Sequence, residues 1–150
     1  MKIETLLVPI DFSTHSKKAL HYAAELGKLL GAKLHLLHCY GIDLVQVFPY
    51  DPPYLTNLPP DFDDHVREAA ENKLAELRKE VEDLGVAAEI HLSKLFPSDA
   101  ILRTAEEIEA DLIVMGTRGL TGLKHVLLGS VAERTIRIAP CPVVSVKADD

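Results

Sequence analysis

Cysteine is scarce in this chain: Cys39 and Cys141 are the only two. Such a pair offers no disulfide framework, so the fold must rest on its apolar core. Long apolar runs are missing too. None approaches the roughly 18 residues that a membrane-spanning helix requires, which argues against membrane insertion. The start, MKIETLLVPIDF, carries the acidic Glu4 and only a short apolar run. It makes a poor signal peptide, and a cytoplasmic location is the simplest expectation. A basic excess is also lacking. The net charge of −7 disfavours nonspecific binding to nucleic acid or to an anionic membrane. Two phosphate-binding signatures are absent. Gly122 is followed by Leu123 where G-x-x-x-x-G-K-[ST] would need lysine, and no G-x-G-x-x-G occurs. Neither a P-loop nor a Rossmann dinucleotide loop is written here.

What is present is an ordinary globular composition, 47% apolar and 26% charged. A length of 150 residues suggests one domain, 1–150, able to bury roughly 68–70% of its unfolded surface. Apolar runs at 5–10, 33–40 and 86–93, DLIVMG at 111–116 and the segment PVVSV at 142–146 read as strands. Between them lie helical patterns. Ala19, Ala23, Leu26 and Leu30 recur at helical spacing, with Ser13 or Thr14 as N-cap and Gly31 as stop. Phe62, Val66, Ala69, Ala70, Leu74, Leu77, Val81 and Leu84 mark a longer helix with a charged outer face. Pro97 opens another, with Ile101, Ala105 and Ile108 inward. SVAERTIRI forms a short one, stopped before Pro140. Strand and helix alternate, so the expected fold class is α/β: an open parallel five-stranded sheet with helices on both faces. The segment 43–61, with five prolines, reads as a loop inserted at a strand end.

The densest chemistry lies in GTRGLTGLKHVLLGS, 116–130, with four glycines after the apolar run DLIVM. From 116 to 139 four bases face one acid, a net of +3, which leaves −10 for the remainder. Ligands of open α/β sheets bind beyond the strands' carboxyl ends, where strand order reverses. VPIDFS and MGTRG are two such ends. Gly116 and Gly119 would give a tight turn and close ligand approach. Gly129 and Ser130 fall at a helix start, whose N–H groups attract phosphate. Arg118 and Lys124 would add charge. The plain alternative is a turn-rich connection with a capping serine, and Asp11 likewise reads either as a binding residue or as a near-cap residue.

G116-T-R-G119, nine residues, then G129-S130 is the G-x2-G-x9-G-[ST] spacing of the universal stress protein family. LLVPIDFS resembles that family's first strand with its aspartate, and the segment from Asp111 to Val146 resembles its C-terminal third. The likeness covers nearly the whole chain and is weakest from Asp43 to Asp61. It implies sheet order 3-2-1-4-5, a Rossmann-like sheet of the adenine nucleotide alpha hydrolase type. It also implies the subclass that binds ATP or AMP, with Mg²⁺ admissible beside the phosphates. By that pattern Gly116, Gly119, Gly129, Ser130 and Val131 line the phosphates, and Arg118 lies in the same loop. Pro9, Ile10 and Asp11 lie near adenine and ribose, Met115 packs on the nucleoside, and His38, Cys39 and Tyr40 edge the adenine. The family's last strand pairs with its twin, which here assigns a homodimer interface to Pro142, Val143, Val144, Ser145 and Val146. The role implied is a stress-response regulator or sensor acting through nucleotide occupancy.

Other chemistries are less well supplied. A carboxylate that holds Mg²⁺ for phosphoryl transfer ends its strand, whereas Asp111 precedes LIVM and belongs about 17 Å away, at the opposite end. Binding with little turnover is therefore expected. A slow ATPase or phosphotransferase, and an interaction protein with a vestigial site, are the competing classes. No local motif marks a catalytic nucleophile. His35, His38 and Cys39 suggest a metal, but His35 and His38 point to opposite faces of a strand, so none is assigned. The 43–61 loop, with Phe48, Tyr50 and Tyr54, is the candidate surface for a protein partner.

Overall fold

The computed structural model of the chain describes residues 1–41, 59–119 and 127–149. Most of the proline-rich segment, together with Gly122, Lys124 and His125, lies outside the described residues. Five strands are described: β1 (Thr5–Pro9), β2 (Lys33–Cys39), β3 (Ala88–Ser93), β4 (Leu112–Gly116) and β5 (Val143–Val146). Between them run α1 (Thr14–Leu30), α2 (Phe62–Asp83), α3 (Pro97–Glu107) and α4 (Ser130–Ile138). The sheet is wholly parallel with order β3-β2-β1-β4-β5, as expected.

The inner strands read as unbroken apolar runs because both of their faces are covered. Leu6, Val8, Leu34, Leu36, Leu112 and Val114 form one core with Ala19, Leu20 and Ala23 of α1 and with Leu74 and Val81 of α2. Leu7, Leu37, Ile113 and Met115 face the other way, onto Ala100, Ile101 and Ala105 of α3 and Ala132 of α4. Burial of each such leucine or isoleucine is worth about 1.5–3 kcal/mol. That makes this two-sided core the main source of cohesion.

Boundaries follow local chemistry. Ser13 caps α1, its hydroxyl accepting the Ser16 N–H at 3.1 Å, and Gly31 ends the helix in the left-handed region at φ 68. Pro97 opens α3, where its missing N–H costs nothing. The buried stripe of α2 is narrower than its apolar spacing suggests. Ala70, Leu74, Leu77 and Val81 are buried, while Ala69 and Leu84 are exposed. β3 begins at Ala88 rather than Val86, since Val86 is already bonded back to Val81 in the turn. At the amino ends Asp111 accepts the Glu4 and Thr5 N–H groups at 2.9 and 3.0 Å. It thus joins the start of β1 to the start of β4, opposite the strand ends that matter next.

Candidate functional site

β1 has β2 on one side and β4 on the other, so strand order reverses between β1 and β4. A cavity of about 250 Å³ lies at their carboxyl ends. It is somewhat smaller than the roughly 300–1,000 Å³ of many small-molecule sites.

The end of β1, the end of β2 and Ser16 of α1 build the wall on the β1 side. Pro9, Ile10 and Asp11 line it directly. Ile10 continues the sheet by donating its N–H to the Leu37 carbonyl at 2.7 Å. Its own carbonyl accepts from His38 Nδ1, also at 2.7 Å. That bond fixes the proton on Nδ1, which leaves Nε2 of the neutral ring as an acceptor. Burial, the largest influence, lowers the His38 pKa below its ordinary 6.5, against opposing pulls from the Ile10 carbonyl and Asp11. Cys39 also lines the cavity, and burial pushes its thiol up to about 11. It is therefore a thiol at neutral pH and a poor nucleophile. Tyr40, expected beside them, is not among the lining residues; the Lys94 ammonium lies 5.7 Å from its ring centroid instead.

Asp11 performs the capping job that was its alternative reading, and it also lines the cavity. Its Oδ1 accepts the Ser13 N–H at 2.9 Å, forming the turn that feeds α1. Phe12, between them, is held at φ 63, a strained conformation for a bulky residue. Its ring packs 4.5 Å from that of His38, with the Lys73 ammonium 5.5 Å from its centroid. This packing holds the strained turn in place.

On the β4 side the glycines have reasons that spacing alone does not show. A Cβ on Gly116 would stand 2.9 Å from the backbone carbon and the Cβ of His15, so β4 ends directly against the first turn of α1. A Cβ on Gly119 would stand 2.6 Å from Asp11 Oδ2. Both glycines serve the contact between two protein segments, and neither has a positive φ. Both glycines also line the cavity, so the close packing of the two strand-end loops is a second demand on them beside the expected ligand approach. Thr117 then clips the loop shut. Its carbonyl accepts the Gly129 N–H at 2.7 Å, and its own N–H donates to Val146 at 3.1 Å. The Thr117 hydroxyl is buried and has no hydrogen-bond partner among the described residues.

Gly129 is the N-cap of α4, extended at φ −72 and ψ 160, with no side-chain cap bond. Ser130, Val131 and Ala132 follow it along the cavity wall, where first-turn N–H groups have no intrahelical acceptor. Arg118 lines the same wall and is 7% exposed. Arg134 and Arg137 belong elsewhere: they pair with Asp99 and Glu133. The basic excess of the segment therefore reaches the cavity through Arg118 among the described residues. Leu37, Ile101, Met115 and Pro97 complete an apolar side. Ser16, Leu37, Pro97, Ile101, Thr117 and Ala132 are lining residues that sequence reasoning missed. They come from four different elements and a loop, and only the tertiary packing brings them together. Asp11 is the one carboxylate among the described lining residues.

An open parallel sheet with a helix N-terminus, a buried arginine and an apolar wall at its reversal point defines an α/β protein suited to a small, partly apolar anion. The chain belongs to the universal stress protein family, whose sequence pattern matches residues 2–147. Universal stress protein MJ0531 of Methanocaldococcus jannaschii is 35% identical over 147 residues, spanning 95% of this chain and 81% of that protein. The solved structure of MJ0577, from the same organism, superposes with a TM-score of 0.84 at 29% identity, covering 100% of this chain and 99% of that one. The universal stress protein from Archaeoglobus fulgidus, solved in complex with dAMP, superposes with a TM-score of 0.67 at 25% identity, over 98% and 100% of the two chains.

Proposed function

We propose that the chain is an adenine-nucleotide-binding regulatory protein of the stress response, holding ATP or AMP in the β1/β4 crevice with little turnover. The observation that carries this reading is the start of α4, which opens onto the cavity without a side-chain cap. Phosphate oxygens would take the N–H groups of Ser130 and Val131, with Arg118 balancing charge. The Thr117 hydroxyl, without an acceptor among the described residues, is a donor in the same wall. The nucleoside would lie on Met115, Ile101 and Ile10, with Asp11 beside the ribose. The acceptor nitrogen of His38 complements an exocyclic amine, which adenine has. The dAMP held by the Archaeoglobus fulgidus relative supports this ligand class.

Turnover is a separate matter. Among the described lining residues Asp11 is the only carboxylate offered to a Mg²⁺ arriving with the phosphates, and one of its oxygens already holds the Ser13 N–H. Calorimetry with ATP, AMP and cyclic AMP tests binding; no heat of binding below millimolar concentration leaves the vestigial-site alternative. Labelled ATP with Mg²⁺ tests the enzyme alternative, which turnover above roughly 1 s⁻¹ would establish.

The regulatory mechanism would be occupancy-dependent, a ligand spanning the two strand-end loops favouring one partner surface. Segment 43–61 is the candidate surface for a protein partner. Its deletion should abolish capture of any partner found by pull-down, and unchanged capture would count against that role. β5 lies at the sheet edge, with Ser145 exposed and Val143, Val144 and Val146 half-buried, so it favours pairing with a second copy. Light scattering that reads a monomer at micromolar concentration would dismiss the dimer.

A further inference from the structure

The sheet carries a second set of ligand-type side chains, none of which lines the cavity. In the parallel register of β2 and β3, His35 lies opposite Glu89, and Leu37 opposite His91. Strand residues two apart share a face, so Glu89 and His91 stand on the same side, and the register brings His35 to that side too. His35 Nδ1 is 2.8 Å from His91 Nε2, and the rings stack with centroids 5.1 Å apart. A carboxylate oxygen of Glu89 completes the group, with all three ligand atoms within 4.8 Å of one another. We propose that His35, Glu89 and His91 form a site for a divalent transition metal of the zinc class, joining the edge strand β3 to β2.

Two imidazoles and one carboxylate are a recognised donor set for zinc, leaving a fourth position to water. The metal-free arrangement is already close to what binding requires. Nitrogens sharing a tetrahedral zinc sit about 3.3 Å apart, given Zn–N bonds of about 2.0–2.1 Å. The two rings need separate by only about half an ångström from their hydrogen-bonded spacing, again on those bond lengths. An edge strand accommodates such a shift locally. Burial is the largest influence on both histidines and holds each below its ordinary pKa of 6.5. Lys33 pairs with Glu89 at 2.6 Å, but both side chains are about half exposed, so this bridge is weak and yields readily. Glu107, at the end of α3, adds negative charge near His91 while paired to Arg103. Strand alternation still separates His35 from His38. The partner of His35 comes from the neighbouring strand instead.

The test is a Zn²⁺ titration of the full chain without nucleotide, read by competition with a chromogenic chelator. One equivalent should bind with a Kd below about 10 μM, and His91→Gln should weaken it at least about tenfold. His35→Gln should do the same, Glu89→Gln should weaken binding less, and His65→Gln, on the exposed face of α2, should leave it unchanged. His35 is buried and His91 half-buried, so His91→Gln, checked by circular dichroism, carries the test if His35→Gln misfolds. Unchanged affinity in His91→Gln would place the metal elsewhere, and absence of binding would reduce the trio to a hydrogen-bonded histidine pair; either result overturns the site.

Discussion

Three helices begin at the crevice; α3 enters it with Pro97, and the other two begin in opposite ways. At α1 the chain's own side chains satisfy the first turn. Ser13 accepts the Ser16 N–H, Ser16 donates back to the Ser13 carbonyl, and Asp11 accepts the Ser13 N–H. At α4 the cap is Gly129, and no side chain serves the first turn. Glycine is itself a tolerated N-cap, so a serine or aspartate there would add only a few tenths of a kcal/mol. The same geometric feature, a helix N-terminus at a strand end, is thus spent on folding in one case and left open for an external acceptor in the other. A helix N-terminus in a crevice says little by itself; what matters is whether its own chain has already satisfied it.

The comparison breaks most severely if the open end is filled. Gly129→Val is expected to lower adenine-nucleotide affinity about 100-fold, or about 2.7 kcal/mol, by calorimetry. The protein has room for the first carbon of the new side chain. A Cβ at Gly129 would meet the Thr117 carbonyl at 3.4 Å and the Arg118 Cα at 3.6 Å, which are ordinary contacts. Valine is a poorer N-cap than glycine, so a stability loss of about 1 kcal/mol is expected beside the affinity loss, too small to unfold the chain. Retained affinity would show that the phosphate is not at α4.

Next comes the contact that holds the closed end in place. Gly116→Ala pushes a Cβ into the His15 backbone, which cannot yield as a side-chain tip can. A loss of about 1–3 kcal/mol in urea denaturation is expected, the usual cost of overpacking. Gly119→Ala meets only the tip of Asp11 and should cost less stability.

A milder change opens the closed end. Ser13→Ala removes the α1 cap and should cost about 1 kcal/mol while leaving nucleotide affinity unchanged. A large affinity loss there would erase the distinction between the two helices.

The smallest effect is pH-dependent. Burial lowers the pKa values of His35, His38 and His91 from 6.5. Below that value the unfolded chain takes up protons that the folded chain resists, so stability present above it is lost as pH falls. Thermal melts should show a midpoint that drops between about pH 7 and pH 5. His38→Asn should flatten part of that drop.

Much of this was legible in the sequence, and the parts that were not share one cause. Alternating apolar runs and helical spacings gave the α/β class, and the resemblance gave the strand order. Spacing also marked Gly129 and Ser130, because a helix start is a local event. The reasons for Gly116 and Gly119 are not local. They lie in His15 and Asp11, across a long stretch of chain, and only the packing of α1 on β4 reveals them. The pairing of His35 with His91 was hidden for the same reason, since it depends on the β2–β3 register. Arg134 and Arg137 counted toward the basic excess by position in the chain, yet their charges are spent on Asp99 and Glu133.

Asp111 joins Glu4 across 107 residues of chain. The crevice at the far end of β1 and β4 exists only when that closure has been made. Parallel strands so distant in sequence pair late and at a high entropic cost, which makes their pairing a global event. No fragment ending before β4 can contain the site. A ligand held there therefore stabilises the whole chain by mass action rather than one loop of it, and occupancy becomes a report on the integrity of the fold.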